Sequence, residues 1–214
     1  MQSMMKNALY PDDEELKGLI RASKFGDVAG VRKFLDKGFD VNFDLGSSET
    51  ALIVASAFAE NEVVDLLISR GADVNQTNNE ECSPLHLAAM RGAAETCKRL
   101  ASAGAKLDAL DDYGRSPLHY AALSDDRVDA ARVLVSHGAN AHLQDEEGDT
   151  PLMLASGRAT EEVIKSELQA RELKSTVELS SAAWSPSSAD AEALMQPSAN
   201  SDQEAPTHQR SRRL

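Results

Sequence analysis

A six-residue motif occurs four times along the chain at an almost constant distance. It reads Thr-Ala-Leu-Ile-Val-Ala at residues 50–55, Ser-Pro-Leu-His-Leu-Ala at 83–88, Ser-Pro-Leu-His-Tyr-Ala at 116–121 and Thr-Pro-Leu-Met-Leu-Ala at 150–155. Successive copies begin 33, 33 and 34 residues apart. Repetition at such a period is typical of solenoid proteins, in which each repeat packs on its sequence neighbours. The motif therefore predicts a stack of similar units.

A second motif follows the same period. The segment Gly-Phe-Asp-Val-Asn at residues 38–42 recurs as Gly-Ala-Asp-Val-Asn at 71–75, Gly-Ala-Lys-Leu-Asp at 104–108 and Gly-Ala-Asn-Ala-His at 138–142. The additional residue of the last interval lies between Ser116 and Gly138, and we place it in the turn around residues 124–126. Two motifs with one period show that the repeat organises most of the chain.

Each unit carries the signals of two helices and a loop. Proline at the second position of the first motif suits the first turn of a helix, and the preceding Ser or Thr is a good N-cap. Apolar residues within 63–67 form the stripe expected of a second helix. The glycine that begins the second motif lies where a helix ends in a left-handed residue. The segment after it is rich in turn formers, which predicts an extended finger loop.

These residues resemble the ankyrin repeat, whose period and Thr-Pro-Leu-His-x-Ala motif they share. The resemblance implies an all-α solenoid of helix–turn–helix units with β-hairpin-like fingers. We assign residues 1–11 to an N-terminal extension, 12–173 to the ankyrin repeat domain and 174–214 to a disordered Ser/Pro-rich tail, whose first part can extend the last helix to about Leu179. The five expected repeats are 14–46, 47–79, 80–112, 113–146 and 147–173.

The histidines of the first motif, His86 and His119, could suggest catalysis. The resemblance instead implies that a histidine here hydrogen-bonds the Ser or Thr of its own motif and the backbone near the next loop. Met153 and Ile53 replace it in two copies, so the stack tolerates its loss. We therefore assign structural roles to Thr50, Ser83, His86, Ser116, His119 and Thr150.

No residue grouping in the sequence indicates catalysis or a cofactor. A Gly-rich phosphate loop, a His-Glu-x-x-His motif and a nucleophile elbow are absent. Cys82 and His86 are four residues apart, but a zinc site needs about four ligands and no second pair is present. Cys97 falls in an apolar stripe, where a buried thiol is usual. We expect a protein that is not an enzyme and holds no cofactor or metal.

Composition narrows the classes of partner. The 214 residues include 22 basic and 35 acidic side chains, for a net charge of −13. Such an excess disfavours direct binding to nucleic acid or to anionic membranes, since both require Lys and Arg. Two cysteines, an N-terminus without a secretory signal and apolar runs too short to span a bilayer favour a cytoplasmic or nuclear location. We expect a monomer.

The predicted finger loops are strongly acidic. The equivalent windows 43–49, 76–82, 109–115 and 143–149 contain ten acidic residues and a single base. Aspartate is common in turns, but half of these acids are Glu, which turns do not favour. A basic protein partner, bound with salt-sensitive affinity, is therefore expected at these loops. The charged candidates for this contact are Asp44, Glu80, Glu81, Asp111, Asp112, Arg115, Asp145, Glu146 and Glu147.

A second candidate zone is apolar. Variable positions near the ends of the first helices, together with the third finger, carry residue types that are enriched at interface cores. We expect about half of them to be buried between repeats instead. The candidates are Phe25, Phe58, Met90, Arg91, Leu110, Tyr113 and Leu123.

The sequence thus favours a protein-binding module that grips a basic, partly apolar partner. Two alternatives stay open: a regulator or inhibitor of an enzyme, and an adaptor that brings substrates to a degradation or targeting complex. The resemblance also implies that Asn75 is a candidate for hydroxylation by an asparaginyl hydroxylase. The partner itself is not named by these patterns, because one fold serves many functions.

Overall fold

A computed structural model describes residues 13–43 and 49–183. Within these residues the structure is helical and contains no strand. The helices are α1 Asp13–Lys24, α2 Val28–Asp36, α3 Ala51–Ala57, α4 Asn61–Ser69, α5 Pro84–Arg91, α6 Ala94–Ser102, α7 Pro117–Ala122, α8 Val128–His137 and α9 Arg158–Ala183, with a 3-10 helix at Asp125–Arg127 before α8. The expectation of an all-α repeat stack is confirmed.

Helices α1 to α8 form four pairs that stack in two layers. The inner layer consists of α1, α3, α5 and α7, each packed on the next, and the outer layer of α2, α4, α6 and α8 does the same. The third position of the first motif supplies the inner layer with fully buried leucines, since Leu52, Leu85 and Leu118 are at most 1% exposed. Each such side chain contributes about 1.5–3 kcal/mol by its burial.

The ends of the helices follow the local signals. Pro84 and Pro117 occupy the first turns of α5 and α7. The hydroxyl of Thr50 accepts a hydrogen bond from the backbone N–H of Ile53 and caps α3. After each outer helix, the chain passes through a glycine with φ between 87° and 115°, which lets the backbone turn towards the finger. These glycines are Gly38, Gly71, Gly104 and Gly138.

The fifth repeat differs from the other four. Thr150 accepts a hydrogen bond from the N–H of Met153, but residues 151–154 form turns instead of an inner helix. A helix this short depends on packing from both sides, and this segment ends the stack.

The turn where we place the additional residue caps the last helix. Asp125 in this turn accepts hydrogen bonds from the N–H and the hydroxyl of Thr160, at 3.1 and 3.0 Å, near the start of α9.

The chain divides into one unit that ends at Arg171 and a second that begins at Glu172. Helix α9 includes residues 174–183, which we assigned to the tail. The predicted disorder of the rest of the tail, the N-terminal extension and Asp44 lie outside the described residues. None of the described helices has the length and apolar character needed to cross a membrane.

Candidate interaction surface

Three successive fingers are built on the same turn. Asn78, Asp111 and Asp145 occupy equivalent positions, and the Oδ1 atom of each accepts hydrogen bonds from the backbone N–H groups two and four residues further along. All six bonds measure 2.9–3.0 Å. An amide oxygen therefore forms this turn as a carboxylate does, and the turn itself does not require negative charge.

The second carboxylate oxygen of the two aspartates is also used inside the protein. Oδ2 of Asp111 accepts the hydroxyl of Tyr120 at 2.5 Å, and Oδ2 of Asp145 accepts from Nε of Arg115 at 3.2 Å. Asp111 is 5% exposed and Asp145 is 7% exposed. Asp111 and Asp145 are thus largely buried within the fold, whereas the Arg115 side chain is 25% exposed. That these three residues contact a partner stays a prediction.

Burial and hydrogen bonds shift the pKa values of Tyr120, Cys82 and Asp145. Burial and the hydrogen bond to Asp111 raise the pKa of Tyr120, and burial together with the charge of Asp111 raises the pKa of Cys82 to about 12. Both groups therefore stay protonated at neutral pH. Burial alone would raise the pKa of Asp145, but hydrogen bonds from its turn and from Arg115 hold the pKa of this carboxyl below its ordinary value.

Two buried histidines join each motif to the next finger. His86 accepts at Nδ1 from the N–H of Ser83 at 3.1 Å, and its Nε2 donates to the carbonyl of Arg115 at 3.0 Å. His119 makes the same bonds to Ser116 and to the carbonyl of Asp149. Burial lowers the pKa of both imidazoles, so they are uncharged at neutral pH. This geometry matches the structural role that the resemblance implies.

The tips of the second, third and fourth fingers carry the acids that remain exposed. We call these side chains the finger-tip acids: Glu80, Glu81, Asp112, Glu146 and Glu147. Leu110 and Tyr113 are exposed on the third finger, between the second and fourth. None of the finger-tip acids forms an ion pair with a residue that the structure describes.

Glu81 adopts a backbone conformation that favours glycine. Its φ is 56°, and the equivalent residues of the next two fingers are Gly114 and Gly148, with φ of 69° and 83°. A left-handed non-glycine residue costs about 1–2 kcal/mol. The glycines at the equivalent positions are the sequence signal that could have revealed this strain.

The apolar candidates at the ends of the inner helices are all exposed. We define the inner-helix ridge as Phe25, Phe58, Met90 and Leu123, with exposures of 69, 40, 36 and 37%. Our expectation that about half of the apolar candidates are buried is therefore wrong. The small alanines of the motif already fill the space between neighbouring inner helices, since Ala55, Ala88 and Ala121 are fully buried.

Two cations lie over the ridge. Nζ of Lys24 is 4.8 Å from the ring centroid of Phe58, and the guanidinium carbon of Arg91 is 5.8 Å from it. Lys24 is a residue that our sequence reasoning missed. Its repeat position is that of Met90 and Leu123, which could have identified it.

Among the described residues, no group of His, Cys, Asp and Glu side chains is arranged to hold a metal ion.

Stacked helix pairs with protruding loops define the class of helical repeat proteins. The family model for ankyrin repeats (three copies) matches residues 58–145 and 85–176, which together make up more than half of the chain. The chain therefore belongs to the ankyrin repeat family. Its repeats are generally protein–protein interaction modules, and the family is typically non-catalytic. Comparison with curated proteins found no match.

Proposed function

We propose that the chain is a binding module for a protein whose surface is basic and partly apolar. The observation that carries this proposal is the set of finger-tip acids. These carboxylates are exposed on neighbouring fingers, and they form no ion pair with any residue that the structure describes. Like charges held close together repel one another, and a cationic partner relieves that repulsion.

We call Asn78, Asp111 and Asp145 the finger base. Their hydrogen bonds argue against the alternative that the finger-tip acids merely form turns. The turns are made by Asn78, Asp111 and Asp145, whose oxygens bind the finger backbone. Of the finger-tip acids, none has a side-chain hydrogen bond to another described residue. Turn formation accounts for the buried acids and leaves the exposed ones available for binding.

An apolar centre within the acidic tips supports the same proposal. Tyr113 and Leu110 are exposed on the third finger, between the acids of the second and fourth. Aromatic side chains surrounded by polar groups often supply most of the affinity of an interface. We expect the partner to place an apolar group against Tyr113 and its Lys and Arg side chains against the surrounding acids.

The decisive experiment reverses charge without touching the finger base. The variant Asp112→Lys, Glu146→Lys, Glu147→Lys should bind the main partner at least about tenfold more weakly, because three attractive contacts become repulsive. The partner is first identified by affinity purification and mass spectrometry with the wild-type chain as bait. Its affinity is then measured by titration calorimetry at two salt concentrations.

A matched control separates local contacts from net charge. The variant Glu62→Lys, Asp65→Lys, Glu162→Lys carries the same change on exposed positions of α4 and α9. It should bind as the wild type does. Unchanged affinity in the finger-tip variant, or equal weakening in both variants, would contradict the proposal.

A further inference from the structure

The inner-helix ridge presents one apolar side chain from each of four successive repeats. Phe25 directly follows α1, Phe58 follows α3, Met90 lies in the last turn of α5 and Leu123 follows α7. Neighbouring helices of this kind lie about 8–10 Å apart. The ridge is therefore a row of exposed apolar groups along the stack, in which Phe25 and Phe58 share one repeat position and Met90 and Leu123 share the position before it.

The cations over the ridge have no carboxylate partner within the described part of the chain. Lys24 and Arg91 form no ion pair with any residue there. Lys24 also lies over Phe25, with Nζ 5.8 Å from the ring centroid. The acid of the neighbouring turn, Glu60, has its carboxylate against Gly26. Cation–π contacts hold the two positive charges at the surface, where a carboxylate from outside can reach them.

We propose that the inner-helix ridge binds an acidic segment of the partner protein. Apolar side chains of that segment, about 8–10 Å apart, pack on the ridge, and its carboxylates pair with Lys24 and Arg91. This spacing corresponds to every third residue of an extended chain or every seventh residue of a helix. The inference rests on the proposed function. It adds that a second part of the same partner is negatively charged.

The two zones together define an orientation. The finger-tip acids attract a basic surface, whereas Lys24 and Arg91 attract an acidic segment. A partner turned end for end would bring like charges together at both zones, and such contacts oppose binding. The charge pattern therefore selects one direction for the bound partner.

Charge also argues against a second copy of this chain on the ridge. A two-fold symmetric contact brings the same patch of both subunits together. Lys24 and Arg91 of one copy would then face the same cations of the other. An acidic segment meets the ridge without that repulsion.

The test uses synthetic peptides and the full-length chain. Two fluorescent peptides carry Leu or Phe at every third or every seventh position with Glu elsewhere, and each has a counterpart with Lys in place of Glu. About ten residues of extended chain span the ridge. Binding is followed by fluorescence anisotropy. At least one acidic peptide should bind saturably, and its lysine counterpart should not compete with it.

Variants of the ridge locate the binding. Lys24→Glu with Arg91→Glu, and separately Phe58→Ser, should each weaken binding of the acidic peptide about tenfold or more. The matched control Lys98→Glu with Arg132→Glu reverses two exposed cations on α6 and α8 and should change nothing. Circular dichroism checks that every variant is folded.

The outcomes separate this inference from the proposed function. Absence of saturable binding by both acidic peptides, or equal binding to the ridge variants, overturns the inference. Self-association in sedimentation that Phe58→Ser abolishes also overturns it, in favour of a second copy. The finger-tip variant should still bind the acidic peptide. If that variant loses the partner while the ridge variants do not, the proposed function stands and the inference falls.

Discussion

The base and the tips of the finger loops contain the same kind of side chain in opposite settings. At the base, Asp111 and Asp145 are buried and accept hydrogen bonds from the finger backbone, from Tyr120 and from Arg115. At the tips, acids such as Asp112 are exposed and make no ion pair within the described chain. The difference teaches that hydrogen-bond donors near a carboxylate, and not its place in an acidic run, decide whether it is held within the fold or left exposed.

Removing a carboxylate from the finger base should produce the largest effect on stability. Asp145→Ala leaves two partly buried N–H groups and Arg115 without their acceptor, so we expect the free energy of unfolding to fall by about 3 kcal/mol. Asp145→Asn keeps the turn, as Asn78 does, and should cost only about 1 kcal/mol. Urea denaturation measures both. The exposed control Glu146→Ala should change stability by less than about 0.5 kcal/mol, and an equal loss in this control would contradict the comparison.

Lowering the pH should destabilise the fold through its two buried histidines. The pKa values of His86 and His119 are lower in the folded chain than their ordinary value, so the unfolded chain binds protons more readily. Stability is therefore complete above about pH 6.5 and falls below it, by up to about 1.4 kcal/mol per histidine and pH unit. The depressed pKa of Asp145 acts in a separate window: its contribution is lost only at lower pH, as the pH falls through that depressed value.

Urea denaturation between about pH 7.5 and 5.5 tests this pH dependence. His119→Met, which copies the residue at position 153, should be less stable than the wild type at the upper pH, since its bonds to Ser116 and the Asp149 carbonyl are lost. It should also show a flatter fall of stability with acid. A variant whose stability falls as steeply as that of the wild type would exclude His119 as the titrating group.

The smallest effect is expected at a strained tip residue. Glu81→Gly relieves a left-handed backbone and should raise the free energy of unfolding by about 0.5–1 kcal/mol, while removal of one acid lowers affinity for a basic partner. Ala59→Gly is the matched control, because Ala59 also has a left-handed φ of 59° but lies outside the fingers. The control should be stabilised without any loss of affinity. Equal affinity in both variants would remove Glu81 from the binding surface.

The fifth repeat marks how far the motif predicts local structure. Its Thr-Pro-Leu-Met segment carries the same helix signals as the other copies, and Thr150 does accept a hydrogen bond from the N–H of Met153. Residues 151–154 nevertheless form turns. Local signals bias a short segment towards a helix, but packing by neighbours on both sides completes it. A repeat at the end of a stack lacks one of those neighbours.

The sequence by itself determined the helix pairs, their order and the family, because capping residues, prolines and buried leucines act locally and recur with one period. Only the tertiary structure decided which acids are free and which apolar residues are exposed. Arg115 reaches Asp145 across 30 residues of sequence, and His86 reaches the carbonyl of Arg115 across 29. Such contacts join one repeat to the next. The positions of charged residues in the sequence do not predict these contacts, because the contacts depend on how the stacked repeats bring distant donors and acceptors together.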